Sequence, residues 1–214
     1  MKPLILFDVG AVLLQIDYSR FTDLIATLTG KDASVVTDEL TNSGIEQVYF
    51  TQGSAQGMVN AIGDLYKIST EDAEEAFSRI WVGPTEIVKI KDNLIEDGYR
   101  IGLLSNISAL AHKQISSLFP SVLQVNGPSY LSFKISAVKP DKAIYDEVQE
   151  EPVIFIDDKK SYLVPAKNKG WSVILYTGHI DLTETARQYA PSVSSSFPEA
   201  KTAEQLERMI RRLS

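Results

Sequence analysis

The chain contains no cysteine among its 214 residues. Neither a disulfide framework nor a thiolate metal site is therefore open to it, and a reducing compartment fits. Positive charge is also short: 21 Lys and Arg stand against 28 Asp and Glu, a net charge of −7. That balance argues against a nucleic-acid or anionic-membrane surface as the main partner. A small anionic ligand would need local positive charge or a metal. No apolar run approaches the ~20 residues of a membrane span, and the stretch before the first acid is too short for a signal peptide. The expectation is a soluble cytoplasmic protein. Internal repeats and low-complexity tracts are missing, Ser192–Ser196 being too short to count. Without a heptad seam, nothing announces an oligomeric state. Histidine is limited to His112 and His179, and an isolated histidine of this kind is more often structural than catalytic.

What is present is a hydrophobic content of 44 %, enough for a sizeable core. Short runs rich in β-branched residues recur at Pro3–Phe7, Arg100–Leu104, Val122–Val125, Val153–Ile156 and Ser172–Tyr176. Helical periodicity lies between most of them, in Ile87–Glu96, Ala109–Leu118 and Lys142–Gln149. Strands alternating with helices predict an α/β fold with a Rossmann-like parallel sheet. The interval from Leu14 to Thr85 has no convincing strand but four helical patterns: Tyr18–Leu28, Ala33–Thr41, Ser54–Tyr66 and Thr70–Ile80. It reads as an inserted all-helical cap subdomain over residues 15–85, with the sheet-forming core in 1–14 and 86–214. Gly83-Pro84 marks the return to the core. The tail from Ala200 reads as a helix whose Arg208, Arg211 and Arg212 suit a helix C-terminus. Trp81 and Trp171 flank apolar segments as core or interface aromatics.

Four polar clusters sit where strands end or helices begin. Asp8 ends the first strand and runs into Val9-Gly10, Ser105-Asn106 end the second, Lys139-Pro140 open a helix, and Asp157-Asp158 end a later strand. Taken singly, each is as well explained by a helix cap or a solvated turn. Together they belong to loops at the carboxyl edge of one parallel sheet, where open α/β folds gather their ligands. The set matches phosphoryl transfer. A carboxylate can attack phosphorus and divide one displacement into two. Paired Asp oxygens suit Mg²⁺, and a Ser hydroxyl, backbone amides and a Lys ammonium can hold the transferring group's oxygens.

The motifs Phe7–Leu13 (FDVGAVL), Leu103–Ser108 (LLSNIS), Val138–Tyr145 (VKPDKAIY) and Phe155–Leu163 (FIDDKKSYL) resemble, in order, those of the haloacid dehalogenase-like hydrolases. The resemblance spans nearly the whole chain and is strongest to a phosphatase branch with glycine after the nucleophile. That branch includes bacterial α-glucose-1-phosphate phosphatases and the N-terminal phosphatase domains of epoxide hydrolases. It implies a Mg²⁺-dependent phosphatase acting on a small phosphorylated metabolite, with a sugar phosphate among the candidates, through an aspartyl-phosphate. By the same resemblance Asp8 is the nucleophile, Ser105 and Asn106 bind phosphoryl oxygens, and Lys139 stabilises the pentavalent centre. Asp8, the Gly10 carbonyl, Asp158 and Asp157 are then the metal ligands.

Two departures from the pattern stand out. Most of these phosphatases carry an Asp two residues after the nucleophile as proton donor; here Gly10 stands there. A missing acid typically forfeits about 10²–10⁴-fold in rate, least for acidic leaving groups. Asp17 or metal-bound water are the stand-ins the sequence suggests. Tyr162 replaces an Asn common among related sequences and bears on the support of the metal. Lys159-Lys160 reads as neutralising the site's acidity or as solvated, and Gln15, Tyr18 and Arg20 as substrate contacts or exposed helix polarity. A metal-free 2-haloacid dehalogenase would need an arginine in the early cap, and none lies between Arg20 and Arg79. A catalytically degenerate ligand- or partner-binding protein is the remaining reading, with Gly10 its best support.

Overall fold

The first strand, β1 (Leu4–Phe7), is buried at all four positions, and β6 (Val153–Asp157) at all five. Continuous apolar runs of this kind are what a sheet covered on both faces requires. The structure, a computed structural model, describes residues 2–178 and 197–214. Its main sheet has the order β5-β4-β1-β6-β7-β8, where β4 is Arg100–Ser105, β5 Ser129–Leu131, β7 Ser172–Tyr176 and β8 Glu199–Ala200. Every neighbouring pair is parallel. The α/β Rossmann-like fold is thus present. β1 lies at the centre, and the chain builds to one side of it through β4 and β5 before crossing to β6. The carboxyl end of β1 is therefore the switch point, where loops diverge and leave a crevice.

Helices cover both faces. α6 (Ile87–Glu96) follows its apolar spacing, burying Ile87, Ile90 and Leu94. α7 (Ala109–Leu118) is capped by Ser108, whose side chain accepts from the Ala111 amide. Between β2 (Leu14–Ile16) and β3 (Trp81–Pro84) lie α1 (Ser19–Thr29), α2 (Ala33–Ser43), α3 (Ile45–Thr51), α4 (Ala55–Tyr66) and α5 (Thr70–Ser78). One apolar cluster runs from Ile5 and Phe7 through Leu13 into Phe21, Ile62 and Phe77 of these helices. The insertion is therefore packed onto the sheet layer; α4 lies against α7, and α3 lies against α9 (Ser132–Ile135). The remaining elements are α8 (Pro120–Leu123), α10 (Lys142–Asp146), α11 (Lys160–Asn168) and α12 (Ala203–Leu213).

Three sequence expectations need correction. The interval from Leu14 to Thr85 does contain strands: β2 and β3 pair antiparallel as a short ribbon at the two ends of the insertion. Strands of three and four residues, one carrying a bulge, show too little alternation to read beside strong helical periods. The apolar run Val122–Val125 is not a strand. Pro120 starts a helical turn that buries Val122, and the strand forms later, at Ser129–Leu131. Backbone proximity sets that register: a Cβ at Gly102 would lie 2.3 Å from the Pro128 carbonyl, and one at Gly127 lies 2.7 Å from the Ile101 carbonyl. Finally, Lys139 and Pro140 do not open a helix; they form a turn, and α10 starts at Lys142. Trp171 is buried against Tyr145 and Phe155, and half-buried Trp81 donates its Nε1–H to Gln114 at 2.9 Å.

Candidate active site

Asp8 follows the last residue of β1, and its amide donates to the Ile156 carbonyl at 3.0 Å. Asp157 ends the neighbouring β6 and Ser105 ends β4 on the other side. The parallel register sets these strand ends side by side, with Phe7 paired to both Leu103 and Ile156. Helix capping accounts for little of this polarity, because the amides of α7 are served by Ser108. Ser105, although buried, makes no side-chain hydrogen bond among the described residues. A buried hydroxyl unused by the fold is available to a ligand.

Lys139 is the hub. Its ammonium has no contact with solvent; Nζ lies 2.6 Å from Asp157 Oδ2 and 3.0 Å from Asp8 Oδ1, and donates to the Leu104 carbonyl at 3.0 Å. Burial works against its charge, but the Asp157 and Asp8 carboxylates outweigh it and hold the ammonium above the usual lysine range. Burial drives the Asp157 carboxyl far up, opposed by Lys139. Burial, then the Asp8 charge, pushes Asp158 up to about 6. Asn106 holds the loop that carries Lys139: its Oδ1 accepts from the Lys139 amide at 2.8 Å and its Nδ2 donates to the Lys139 carbonyl at 2.9 Å. The same Nδ2 also reaches the Tyr162 hydroxyl at 3.5 Å.

Oxygens of Asp8, Asp157 and Asp158 lie within 4.8 Å of one another, a cluster of hard donors suited to a divalent cation. Within it the three carboxylates differ. Asp157 accepts Lys139 on Oδ2 and the Lys159 amide on Oδ1 at 2.8 Å, so both its oxygens are engaged. Asp8 Oδ2 and the Asp158 side chain accept nothing from another described residue, and nothing donates to the Gly10 carbonyl. These are the groups free to ligate a divalent cation.

The remaining candidates separate. Gly10 does not have a positive φ; the left-handed residue is Ala11, with φ 59°. A Cβ at position 10 would lie 2.7 Å from Ile16 Cδ1, the far end of a side chain that would have to turn aside. Tyr162 sits beside the hub, its ring 4.9 Å from Lys139 Nζ and 5.2 Å from Lys159 Nζ. Arg20 pairs with Asp17 and lines a groove of about 640 Å³ with Asp23, Leu24, Thr27, Arg79 and Trp81, which holds none of the clustered residues. His112 packs against Phe133, and His179 lies outside the described residues. Sequence reasoning missed Ser132, whose hydroxyl accepts from the Ile107 amide and donates to its carbonyl, bracing the loop after β4. It also missed Thr85, whose hydroxyl donates to the Val12 carbonyl at 2.6 Å and braces the loop after β1. Both contacts join segments far apart in sequence, and no local signal marks them.

No protein-family model and no curated protein matches the chain. Solved structures do. A HAD-family enzyme from Bacteroides thetaiotaomicron, solved with magnesium and inorganic phosphate, is 17 % identical with a TM-score of 0.70, over 86 % of this chain and 99 % of its own. L-2-haloacid dehalogenase from Xanthobacter autotrophicus is 15 % identical with a TM-score of 0.66, over 100 % of both chains. A HAD phosphatase from Thermococcus onnurineus is 13 % identical with a TM-score of 0.61, over 98 % of both. With its central β1, its all-parallel order and the carboxylate–lysine hub at the switch point, the chain has the haloacid dehalogenase-like fold.

Proposed function

We propose that the protein is a Mg²⁺-dependent phosphatase that works through an aspartyl-phosphate on Asp8, with a small phosphorylated metabolite as substrate. The observation that carries this reading is the cluster of Asp8, Asp157 and Asp158 around buried Lys139, with Asp8 Oδ2 left unengaged. Three carboxylates with one ammonium are anionic in sum, a poor receptor for a phosphate dianion until a cation joins them. Asp8, Asp158 and the Gly10 carbonyl would hold that cation, which supplies charge neutralisation for the transferring group. The chain's own residues do the rest. The Asp8 carboxylate attacks phosphorus, and the ester oxygen departs. Lys139, fixed by Asp157 and the Leu104 carbonyl, offers positive charge that needs no reorganisation during the step. The Ser105 hydroxyl binds a non-bridging oxygen, while the Asn106 side chain keeps the Lys139 loop in register.

The likeness to an L-2-haloacid dehalogenase supports a competing reading in which the same carboxylate attacks carbon. Against it stand the carboxylate cluster and the absence of arginine between Arg20 and Arg79. One experiment separates the two. Hydrolysis of 4-nitrophenyl phosphate is measured with and without Mg²⁺, beside chloride release from 2-chloropropionate, for the unaltered protein and Asp8→Asn. The expected result is Mg²⁺-dependent phosphate release that Asp8→Asn lowers on the order of 10⁴-fold or more while its circular dichroism is unchanged. Chloride release without metal would overturn the phosphatase reading, as would phosphate release equal in the two proteins.

A further inference from the structure

Among the described residues, neither position 10 nor Asp17 offers a proton to a departing alcohol. Position 10 carries no side chain. Asp17 has the wrong character: its Oδ1 accepts from the Ser19 hydroxyl at 2.6 Å and the Ser19 amide at 3.0 Å, and Arg20 lies 3.4 Å from Oδ2. The Ser19 hydroxyl foremost holds it below the usual carboxylate range, as an anion.

A carboxyl of the opposite character stands on α3. Glu46, in the first turn of that helix, is half-buried and receives the Tyr18 hydroxyl on Oε1 at 2.8 Å. No hydrogen bond or ion pair from a described residue reaches Oε2. Burial raises this carboxyl, opposed by the Tyr18 hydrogen bond and by the charge of Lys159. A proton on Glu46 therefore belongs on Oε2, the oxygen that Tyr18 leaves open. The helix is also in the right place. α3 packs on α9, whose Ser132 braces the loop carrying Ser105 and Asn106. The Lys159 ammonium that Glu46 senses is sensed as well by Asp158, Asp8 and Asp157. Tyr18, which holds Glu46, stands two residues beyond β2, and β2 begins at Leu14, bridged to Gly10 in the loop after Asp8.

We propose that Glu46 donates the proton to the leaving oxygen and then takes one from the attacking water, a role that rests on the phosphatase reading above. In the first half-reaction an Asp8 oxygen bonds to phosphorus and the bond to the ester oxygen breaks. The electron pair left on that oxygen accepts the Oε2 proton, releasing the alcohol. In the second, a water oxygen bonds to phosphorus and the phosphorus–Asp8 bond breaks, returning its electron pair to the carboxylate. The water's proton passes to Oε2, so the acid is restored and inorganic phosphate leaves. Tyr18 is a positioning residue that holds Oε1 and so orients Oε2.

The test is the dependence of kcat/KM on leaving-group pKa across 4-nitrophenyl, phenyl and 4-methoxyphenyl phosphates, at saturating Mg²⁺. These esters are alike in shape, and kcat/KM reads the first half-reaction alone. The unaltered protein should show a shallow dependence. Glu46→Gln should lose about 10²-fold or more on phenyl and 4-methoxyphenyl phosphate but roughly tenfold or less on 4-nitrophenyl phosphate, whose phenolate leaves without a proton. Tyr18→Phe should show the same pattern at smaller size. Losses equal on all three esters, or no loss, would assign Glu46 a structural role and overturn the proposal while leaving the phosphatase reading intact. Activity of the unaltered protein no higher than that of Asp8→Asn on every ester would bring down both.

Discussion

At the sheet edge, Lys139 is sealed from solvent and its ammonium meets two carboxylates and a carbonyl. On the rim, the exposed Lys159 ammonium makes no hydrogen bond or ion pair with a described residue and rests 5.2 Å from the Tyr162 ring. The same contrast separates Asp157, with both oxygens engaged, from Glu46, with one. Lys139 and Asp157 fix each other before any ligand arrives, whereas Lys159 and Glu46 keep open valences. Preorganised charge suits a transition state that never varies; open valences suit contacts that must form and break with each substrate.

The largest break in this contrast should come from Lys139→Met. It leaves Asp8 and Asp157 facing each other without their shared cation, and removing one partner of a buried ion pair costs about 3–5 kcal/mol. Urea unfolding should register that loss together with loss of activity; unchanged stability would mean that the hub holds nothing together. Ser105→Ala sharpens the comparison from the other side. Because the hydroxyl serves no fold contact, stability should change by less than about 1 kcal/mol. Activity should fall about 10²–10³-fold if the hydroxyl stabilises the transition state. A large loss of stability with little loss of activity would reverse its assignment.

A smaller effect concerns pH. Burial first, then Asp8, raises Asp158 to about 6 without metal. The folded chain then keeps a proton that the unfolded chain releases near pH 4, so metal-free stability falls as pH rises across that window. Mg²⁺ displaces the proton and restores what was lost. Differential scanning fluorimetry should find a larger Mg²⁺-induced rise in Tm at pH 7.5 than at pH 5. Equal rises would detach Asp158 from the metal site. The smallest effect belongs to Lys159→Ala. Stability should move by no more than about 0.5 kcal/mol. KM for an anionic ester should rise roughly two- to fivefold, the scale of an exposed charge contact. A stability loss like that of Lys139→Met would erase the distinction between floor and rim.

Much of the floor is legible in the chain because Asp8, Ser105 and Asp157 stand at the ends of short apolar runs. Leu4–Phe7 and Val153–Ile156 are apolar throughout and short, and the carboxylates of Asp8 and Asp157 follow at once. The rim is not legible. α3 is short and lies between two stronger helical patterns, so Glu46 carries no mark in sequence; only the packing of α3 on α9 and the reach of Tyr18 across to it give it a role. The helical tail illustrates the same limit: its arginines suit a C-terminus, but the 2.7 Å pairing of Arg211 with Asp97 is a tertiary matter.

By itself, the sequence determined the alternation of strands and helices, the run of helical patterns between Tyr18 and Ile80 and the polar residues that end the strands, because hydrophobic periodicity and local propensity act over a few neighbours. The tertiary structure alone decided which of those polar groups are engaged. Asp157 is saturated by Lys139 and the Lys159 amide, Asn106 is turned to the Lys139 backbone, and Asp8 Oδ2, Ser105 and Glu46 Oε2 are left open. Those outcomes depend on contacts between segments far apart in the chain. Once a group is buried, its charge and hydrogen-bonding capacity are set by whichever distant neighbours the fold brings to it.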